Sequence, residues 1–310
     1  MAKDLTPLVS VVMSVYNGEG YLKEALDSVL AQTRQDFEFI IINDGSTDDT
    51  AKILASYKDE RLRVHDQENK GLVAALNRGV KLAGASLIAR QDADDCSELE
   101  RLEKQLAFLE ANPETVVIGS SMKVMDKSGR SLHEHRVLLN DPELKQELLV
   151  RSPFAHGSAM FRKQAFEMAG GYHQDEWPAE DYGLWLRMAQ YGKFANIDEP
   201  LYVYREGVDS ISSGNLQLQN QKKQAIQAKA WHQRKHLLAG TIKTVGYPAL
   251  AMGQFRVERI TGNLLFTFRR GLAKASLPTA ITAGKHLLAD RGLRRKCARL
   301  VAVKLRLKHA

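Results

Sequence analysis

Cysteine is scarce in this sequence, and long apolar runs are missing from it. Only two cysteines, Cys96 and Cys297, occur among the 310 residues, and their separation fits no metal-binding or redox motif. No stretch of about 18 uncharged apolar residues occurs, and no small-residue cleavage site follows the short apolar run near the N-terminus. We therefore expect a cytoplasmic protein with reduced thiols, without a membrane span or a secretion signal.

Two glycine-rich phosphate motifs are also missing. The sequence contains neither GxxxxGK[ST] nor GxGxxG. A loop that cradles phosphate groups through its backbone is therefore not expected. If the protein binds a nucleotide, a divalent cation is the alternative source of positive charge.

Acidic residues are scarce in the last third of the chain. Residues 1–215 contain 24 Lys and Arg against 35 Asp and Glu, whereas residues 216–310 contain 20 against 2. This change, next to the small polar segment SISSGNLQ, predicts a boundary between an acidic region, 1–215, and a basic helical region, 216–310.

The basic region has Lys and Arg interleaved with Leu, Val and Ile at helical spacing. This pattern is typical of amphipathic helices on an anionic membrane surface, so we expect a protein on the inner face of the cytoplasmic membrane. Nucleic acid is not the expected partner, because aromatic stacking platforms and nucleic-acid motifs are missing. A basic helical bundle packed on the acidic region is the open alternative.

In the acidic region, short β-branched segments alternate with segments of helical periodicity. The predicted strands are LVSVVMSV (8–15), FEFIIIN (37–43), RLRVHD (61–66) and SLIAR (86–90). This order predicts an α/β fold with a doubly wound, mostly parallel sheet flanked by helices. A polar cluster follows each strand, namely YNGEG, NDGSTDD, QENKG and QDADD. Since ligands bind at the carboxyl ends of such strands, we expect the four loops to form one site.

The loop NDGSTDD offers two interpretations. Ser46 or Thr47 is suited to cap the next helix, and capping also accounts for Asp48. Asp44 has no evident structural task. A carboxylate at a strand end accepts hydrogen bonds from a base or a ribose, which favours nucleotide contact for Asp44.

The segment QDADD places three carboxylates within four positions after the fourth predicted strand. Mg²⁺ or Mn²⁺ binds through one or two carboxylates together with substrate phosphates, so Asp92, Asp94 and Asp95 are candidate metal ligands. A solvated acidic helix start is the structural alternative. A haloacid-dehalogenase-type phosphatase is disfavoured, because its Asp-x-Asp pair ends the first strand.

Taken together, these motifs resemble those of the family 2 glycosyltransferases with the GT-A (Rossmann-like) fold. The segments VSVVMSVYNGEGYLKEALDSVLAQT, FEFIIINDGSTDDT, NKGLVAALNRGVKLA, DADD and AEDYGLWLRMAQYG occur in the family order, over about residues 8–215. The resemblance implies a nucleotide half, about 1–110, and an acceptor half, about 111–215. It also implies metal-dependent, inverting transfer of a sugar from a nucleotide diphosphate donor, such as a UDP-sugar, to a glycan or lipid-linked acceptor in polysaccharide or glycoconjugate biosynthesis.

The resemblance also assigns site residues at the positions that match the family motifs. The donor-binding residues are Tyr16, Asn17, Asp44, Asn69, Gly71, Asp92 and Asp94. The metal ligands are Asp94 and Asp92, and Asp95 could substitute for either.

Glu180 and Asp181 match the family's ED pair, and Asp181 resembles the general base. Inverting transfer independently requires a carboxylate that accepts the proton of the acceptor hydroxyl. From the residues alone, an acidic first turn of an amphipathic helix is an equal alternative. In the same segment, helical spacing favours a core position for Trp185 and a structural ion pair for Arg187.

His156 and Trp177 are the predicted acceptor-side residues. His156 lies in a loop where family members often carry a histidine, and Trp177 lies on the loop that leads to the ED pair. An aromatic ring there can stack on a sugar. Each residue also has a structural interpretation, as a hydrogen-bonded histidine and as a ring that fills a gap.

Gly207 departs from the family pattern. Many relatives carry YRxHxxSxS, whose histidine completes the metal shell, whereas this chain has YREGVDSIS. Water, Glu206 or Asp209 could take that ligand position. Two other functions stay open from the sequence: a nucleotidyl or phosphoryl transferase on a similar sheet, and a catalytically silent nucleotide-sugar binder.

Overall fold

The alternation of strands and helices is present in the computed structural model, which describes residues 7–148, 151–207 and 215–241, with side chains in the last range as far as Ala228. The strands are β1 (Val9–Val15), β2 (Phe37–Asp44), β3 (Leu62–Gln67), β4 (Leu87–Asp92), β5 (Cys96–Ser97), β6 (Thr115–Met125), β7 (Ser131–His135), β8 (Met160–Arg162) and β9 (Lys193–Arg205). The helices are α1 (Leu22–Leu30), α2 (Thr50–Ser56), α3 (Leu72–Leu82), α4 (Arg101–Ala111), α5 (Asp141–Glu147), α6 (Lys163–Met168), α7 (Glu180–Met188) and α8 (Leu216–Thr241).

The strands form one sheet in the order β3-β2-β1-β4-β8-β6-β9-β5, and β7 pairs with β6. The first four strands are parallel, as predicted. Strand direction is mixed in the second half, where β8 runs antiparallel to both β4 and β6 while β9 runs parallel to β6. The chain moves outward from β1 to β3 and then returns to place β4 on the other side of β1. This reversal opens a crevice at the carboxyl ends of β1 and β4.

Both faces of the central strands are buried. Along β2, Phe37, Phe39 and Ile41 enter one apolar cluster, while Ile40 and Ile42 enter the other. Helices cover both faces, so the central strands are continuous apolar runs instead of alternating patterns. This arrangement confirms the predicted α/β sheet with flanking helices.

The apolar cluster that contains Ile40 and Ile42 also contains Trp185, which is fully buried as predicted. Phe154 and Phe161 meet its ring edge-on, with centroids 5.5 and 6.0 Å away. The predicted ion pair of Arg187 is also present, since its Nη1 lies 2.6 Å from a carboxylate oxygen of Glu176. Both predictions for α7 are therefore confirmed.

Helix α8 begins at the predicted boundary between the acidic and basic regions. The chain divides into two compact units, Met1–Gln233 and Arg234–Ala310, so the first turns of α8 belong to the first unit. Ile226 is buried in the same apolar cluster as Trp185. The division at 215 and 216 stays a prediction, and the basic residues from 242 onward lie outside the described residues.

Two other expectations concern cysteines and membrane spans. Cys96 is a free thiol, and Cys297 lies outside the described residues. Among the helices that the structure describes, none has both the length and the apolar content needed to cross a bilayer.

Candidate active site

A cavity of about 1010 Å³ lies at the carboxyl ends of β1, β2 and β4 and extends to the first turn of α7. All twelve predicted site residues line it: Tyr16, Asn17, Asp44, Asn69, Gly71, Asp92, Asp94, Asp95, His156, Trp177, Glu180 and Asp181. The fold thus brings together residues that are up to 165 positions apart in the sequence. The predicted donor and acceptor residues share one space.

The loops after β1 and β2 bind each other at the rim of the cavity. Asn17 has a φ of +51°, and its Oδ1 accepts a hydrogen bond of 2.8 Å from Thr47 N. Its own backbone N–H donates to Ser46 Oγ at 3.0 Å. Glu19 Oε2 accepts a further bond of 3.0 Å from Asp49 N. Tyr16, which precedes Asn17 in this loop, is 53% exposed.

The prediction that Ser46 or Thr47 caps the second helix is wrong. Helix α2 begins at Thr50, and its first N–H donates to Asp48 Oδ1 at 3.0 Å. Ser46 and Thr47 instead contact the loop after β1. Their partners lie about 30 positions away in the sequence, so local helix-capping rules could not identify them.

Asp44 has a structural task, contrary to the sequence interpretation. Its carboxylate is buried and accepts hydrogen bonds from Gln67 Nε2 at 2.6 Å and from the backbone N–H groups of Lys70 and Gly71, each at 2.9 Å. Asp44 therefore fixes the loop after β3 to the end of β2. Its predicted contact with the nucleotide stays a prediction.

Glycines allow these two loops to approach each other closely. Gly45 has a φ of +74°, and a Cβ atom there would lie only 2.7 Å from Asn69 N. Gly71 has a φ of +82° where the chain turns into α3. Side chains would hinder both positions, so the loop after β3 can line the cavity with backbone groups.

Asp92 and Asp94 present carboxylates to the cavity from the end of β4. Arg90 Nη2 lies 2.7 Å from Asp92 Oδ1. Burial and the charge of Asp92 raise the pKa of Asp94 to about 6. Two close carboxylates that are both partly desolvated favour a cation between them.

Asp95 differs from its two neighbours. Its Oδ2 accepts a hydrogen bond of 2.9 Å from Tyr202 Oη, and its Oδ1 accepts one of 2.7 Å from Arg205 N. Both carboxylate oxygens are therefore used to attach the acidic loop to β9. The predicted alternative role of Asp95 as a metal ligand does not fit this geometry.

Arg205 strengthens the attachment between the acidic loop and β9. Its side chain is buried, and its Nε donates to Asp94 O at 3.0 Å. Its guanidinium also pairs with Glu24 and lies over the ring of Tyr21, 4.5 Å from the centroid. The backbone of Asp94 is thereby fixed while its carboxylate stays available to the cavity.

Asp92 and Asp94 are the candidate ligands of a divalent cation in the cavity. Within residues 7–148, 151–207 and 215–228, no three His, Cys, Asp or Glu side chains are grouped as a metal site. Asp92 and Asp94 nevertheless fit Mg²⁺ or Mn²⁺, because these ions need few protein ligands when substrate phosphates and water complete the shell. Gly207, at the family's histidine position, has a φ of +89° and lies near the side chain of Lys127. Asp209, one alternative ligand, lies outside the described residues.

Glu180 and Asp181 form the acid pair at the start of α7. Glu180 is buried, and its Oε2 has no hydrogen-bond partner among the described residues. Burial and the neighbouring charge of Asp181 raise the pKa of Glu180 to about 7. Burial also raises the pKa of Asp181, an effect that hydrogen bonds from Tyr182 N and Ser152 and the charge of Lys223 oppose.

His156 has a structural partner and also lines the cavity. Its Nε2 lies 2.7 Å from Tyr172 Oη, and burial together with the charge of Arg90 lowers the pKa of its imidazole well below the usual value. The imidazole is therefore neutral near neutral pH. Trp177 is half-buried, on the cavity wall next to the apolar cluster.

Several lining residues were not predicted from the sequence, chiefly Arg90, Lys127, Tyr204, Gln219 and Lys223. Arg90 had a usable signal, because an arginine inside an apolar strand beside three carboxylates requires a buried anionic partner. Gln219 and Lys223 had none, since they lie in a polar helix beyond the recognised motifs.

The fold and the cavity together define a GT-A-like protein with an acidic pair on each side of one cleft. Comparison with known sequences identifies the family. Residues 10–169 match the family described as Glycosyl transferase family 2, and the chain belongs to that family. It is accordingly a glycosyltransferase.

Sequence relatives support this assignment. EpsE of Bacillus subtilis (strain 168) is 38% identical over 212 residues, which cover 66% of this chain and 75% of EpsE. The amylovoran biosynthesis glycosyltransferase AmsE of Erwinia amylovora is 33% identical over 211 residues, covering 66% of this chain and 79% of AmsE. The O-antigen biosynthesis glycosyltransferase WbnJ of Escherichia coli is 33% identical over 211 residues, 66% of this chain and 82% of WbnJ.

Among solved structures, residues 1–349 of S. aureus TarS in complex with UDP-GlcNAc share the fold, with a TM-score of 0.57. The sequence identity is 22%, and the match covers 66% of this chain and 60% of the TarS chain. The likeness therefore concerns the fold of the catalytic part.

Proposed function

We propose that this glycosyltransferase moves a sugar from a UDP-sugar to a hydroxyl group of a glycan or lipid-linked acceptor, with inversion, in polysaccharide or other glycoconjugate biosynthesis. One observation carries the proposal: a single cavity contains both the Asp92 and Asp94 pair and the Glu180 and Asp181 pair. The names of AmsE and WbnJ support the pathway class. The UDP-GlcNAc complex of TarS supports a UDP-sugar donor.

The donor is proposed to bind on the side of the cavity formed by the loops after β1, β2 and β3. Tyr16 and Asn17 contact the base at the rim, and the loop that Asp44 fixes presents Asn69 and Gly71. Asp92 and Asp94 would hold Mg²⁺ or Mn²⁺, and the ion would supply positive charge to offset that of a diphosphate leaving group.

The acceptor is proposed to enter beside α7. Asp181 accepts the proton of the attacking hydroxyl, and the raised pKa of Glu180, about 7, keeps that side chain partly protonated and able to donate to a sugar hydroxyl near neutral pH. Trp177 offers a stacking surface. His156, held by Tyr172 Oη, offers a fixed imidazole edge on the same wall.

The cellular location is also proposed. The chain acts in the cytoplasm at the inner face of the membrane, where residues 234–310 of the basic region, with 17 Lys and Arg against 2 Asp and Glu, bind anionic lipid. A lipid-linked acceptor would then be presented at the same surface. No nucleic-acid partner is proposed.

The donor proposal is tested by thermal unfolding with a panel of nucleoside diphosphates and nucleotide sugars. UDP should raise the melting temperature only with Mg²⁺ or Mn²⁺, and Asp94→Asn should remove this dependence on the cation. Asp198→Asn is the control, because this carboxylate on β9 is exposed and is not among the residues that line the cavity. Equal stabilisation by UDP in a chelator would refute the role of the metal.

The catalytic proposal is tested with Asp181→Asn. This variant should bind UDP like the wild type yet release UDP from its sugar donor, in the presence of acceptor glycans, about two to four orders of magnitude more slowly. Retained turnover would transfer the role of base to another residue, with His156 the next to test.

A further inference from the structure

The first turns of α8 lie against the loop that leads to the acid pair. Gln219 Nε2 donates to Pro178 O at 3.0 Å, and Lys222 Nζ donates to Asp175 O at 2.7 Å. Further along the helix, Ile226 is 8% exposed and packs in the apolar cluster around Trp185. Two polar contacts and one apolar contact therefore fix this part of α8 to the catalytic unit.

Lys223 is the residue of α8 whose charge faces the acid pair. It lines the same cavity as Glu180 and Asp181, and its Nζ donates to Gln219 Oε1 at 3.0 Å. Gln219 is itself bonded to Pro178 O, two positions before Glu180. The ammonium group is thus linked to the start of α7 by two successive hydrogen bonds.

Several groups from different elements face Asp181. Glu180 lies beside it on α7, Asp92 faces it from β4, and the hydroxyl groups of Tyr172 and Ser152 lie nearby. Two of these neighbours are carboxylates that oppose a second negative charge, while Arg90 acts on Glu180. Lys223 supplies the cation on the side of α8 and stabilises the ionised form of Asp181.

We propose that Lys223 is a positioning residue of the active site, which keeps the Asp181 carboxylate ionised and therefore able to accept a proton. Helix α8 then belongs to the catalytic machinery, although it follows the residues that match the family. The inference rests on the proposed role of Asp181 as the base. A neutral side chain at 223 leaves two adjacent acids facing Asp92 without this compensating charge.

The test follows the carboxyl resonance of Asp181 by ¹³C NMR in the full chain labelled at aspartate, with Asp181→Asn to assign the signal. Lys223→Met should move the midpoint of the Asp181 titration upward by about one pH unit, because a nearby cation is lost. Lys223→Arg should return it towards the wild-type value. Lys222→Met, at the preceding residue of α8, is the matched control and should leave the midpoint of the Asp181 titration unchanged.

Two results would overturn the proposal: an unchanged midpoint in Lys223→Met, or an equal shift in Lys222→Met, which would indicate a general displacement of α8. If Lys223→Met does not fold, the comparison of Lys223→Gln with Lys223→Arg decides the same question. The titration needs no turnover, so it stays informative even if no UDP-sugar is consumed. Where donor is consumed, the acid limb of the pH–rate profile should move with the NMR midpoint.

Discussion

Gly157 occupies a position in the cavity wall where no side chain fits. A Cβ atom there would collide with Tyr202 Oη and lie 2.5 Å from Asp92 Oδ2. We expect Gly157→Ala to lower the free energy of unfolding by about 1–3 kcal/mol, because the overpacked wall must shift. The shift should also weaken UDP binding in the presence of Mn²⁺, since Asp92 moves.

Denaturant unfolding measures this effect, with Gly20→Ala as the control. Gly20 also lines the cavity, but a Cβ atom there has no neighbour within 4 Å. Similar stabilities for the two variants would show that the wall around Gly157 is not rigidly packed.

Glu180 predicts a pH-dependent stability. Its pKa is raised to about 7, so the folded state binds the proton more tightly than the unfolded state does. Stability is therefore lost as the pH rises from about 4.5, where the carboxyl of the unfolded chain ionises, to about 7, where the buried carboxyl ionises. Glu180→Gln should be more stable than the wild type at pH 8, by about 1–3 kcal/mol, and nearly equal to it at pH 5.

Thermal unfolding at pH 5 and pH 8 checks the prediction for Glu180. Glu206→Gln, at an exposed carboxylate near the same cavity, should leave the melting temperature unchanged at both pH values. A destabilised Glu180→Gln at pH 8 would mean that a partner stabilises the ionised carboxyl, whereas its Oε2 has no hydrogen-bond partner in the part of the chain that the structure describes.

At the scale of elements, the loop after β3 depends on a single carboxylate at the end of β2. Asp44→Ala would leave Gln67 Nε2 and the N–H groups of Lys70 and Gly71 without their acceptor. We expect a loss of about 1–3 kcal/mol in unfolding free energy. Amide exchange in residues 69–71 should become faster, and UDP binding weaker, because the loop is released.

Hydrogen exchange by mass spectrometry tests this prediction for Asp44. The control is Asp66→Ala on β3, where an exposed carboxylate accepts one bond of 2.8 Å from Asn43. If both variants exchange alike in residues 69–71, Asp44 is not the group that fixes the loop.

Strands β1, β2 and β4 of the parallel half were predictable because they are buried on both faces and consist largely of apolar residues. The mixed half was not. Strands β5 and β8 have two and three residues, which is too short for a periodic signal. The insertion of β8 between β4 and β6 depends on tertiary contacts that no local pattern records.

The loops that form the site were predictable from the sequence, but the hydrogen bonds that attach them to distant strands were not. Four polar clusters at four strand ends indicated one cavity, yet the sequence could not distinguish Asp95 from Asp92 and Asp94. The partners of Asp95, Tyr202 and Arg205, lie 107 and 110 positions away. Adjacent residues of the same type thus acquire different tasks only when distant strands meet them.

At the scale of the whole molecule, the catalytic unit should end later than the change of charge suggests. A chain ending after residue 233 keeps Lys223 and Ile226, whereas one ending after residue 215 loses both. We expect the chain ending at residue 233 to fold and to bind UDP. The chain ending at residue 215 should unfold at a lower temperature or aggregate, because the loss of Ile226 leaves a gap in the apolar cluster.

Vesicle binding distinguishes the two predicted roles of the basic region, which are packing on the catalytic unit and binding to anionic lipid. Residues 234–310 contain 17 Lys and Arg against 2 Asp and Glu, so the full chain should sediment with anionic vesicles and the chain ending at 233 should not. Binding should weaken as salt rises, since exposed charges are screened. Sedimentation of both chains, or of neither, would remove the membrane role from residues 234–310.

The loops after β1 and β2 exchange hydrogen bonds in both directions: Thr47 N donates to Asn17 Oδ1, and Asn17 N donates to Ser46 Oγ. Ordering these residues costs conformational entropy, about 1–2 kcal/mol for each residue fixed. In this chain the rim residues are ordered when the protein folds, before a donor binds. The association of donor with this rim should therefore carry a small entropic penalty, and selectivity among donors would arise from the fit to a surface that already exists.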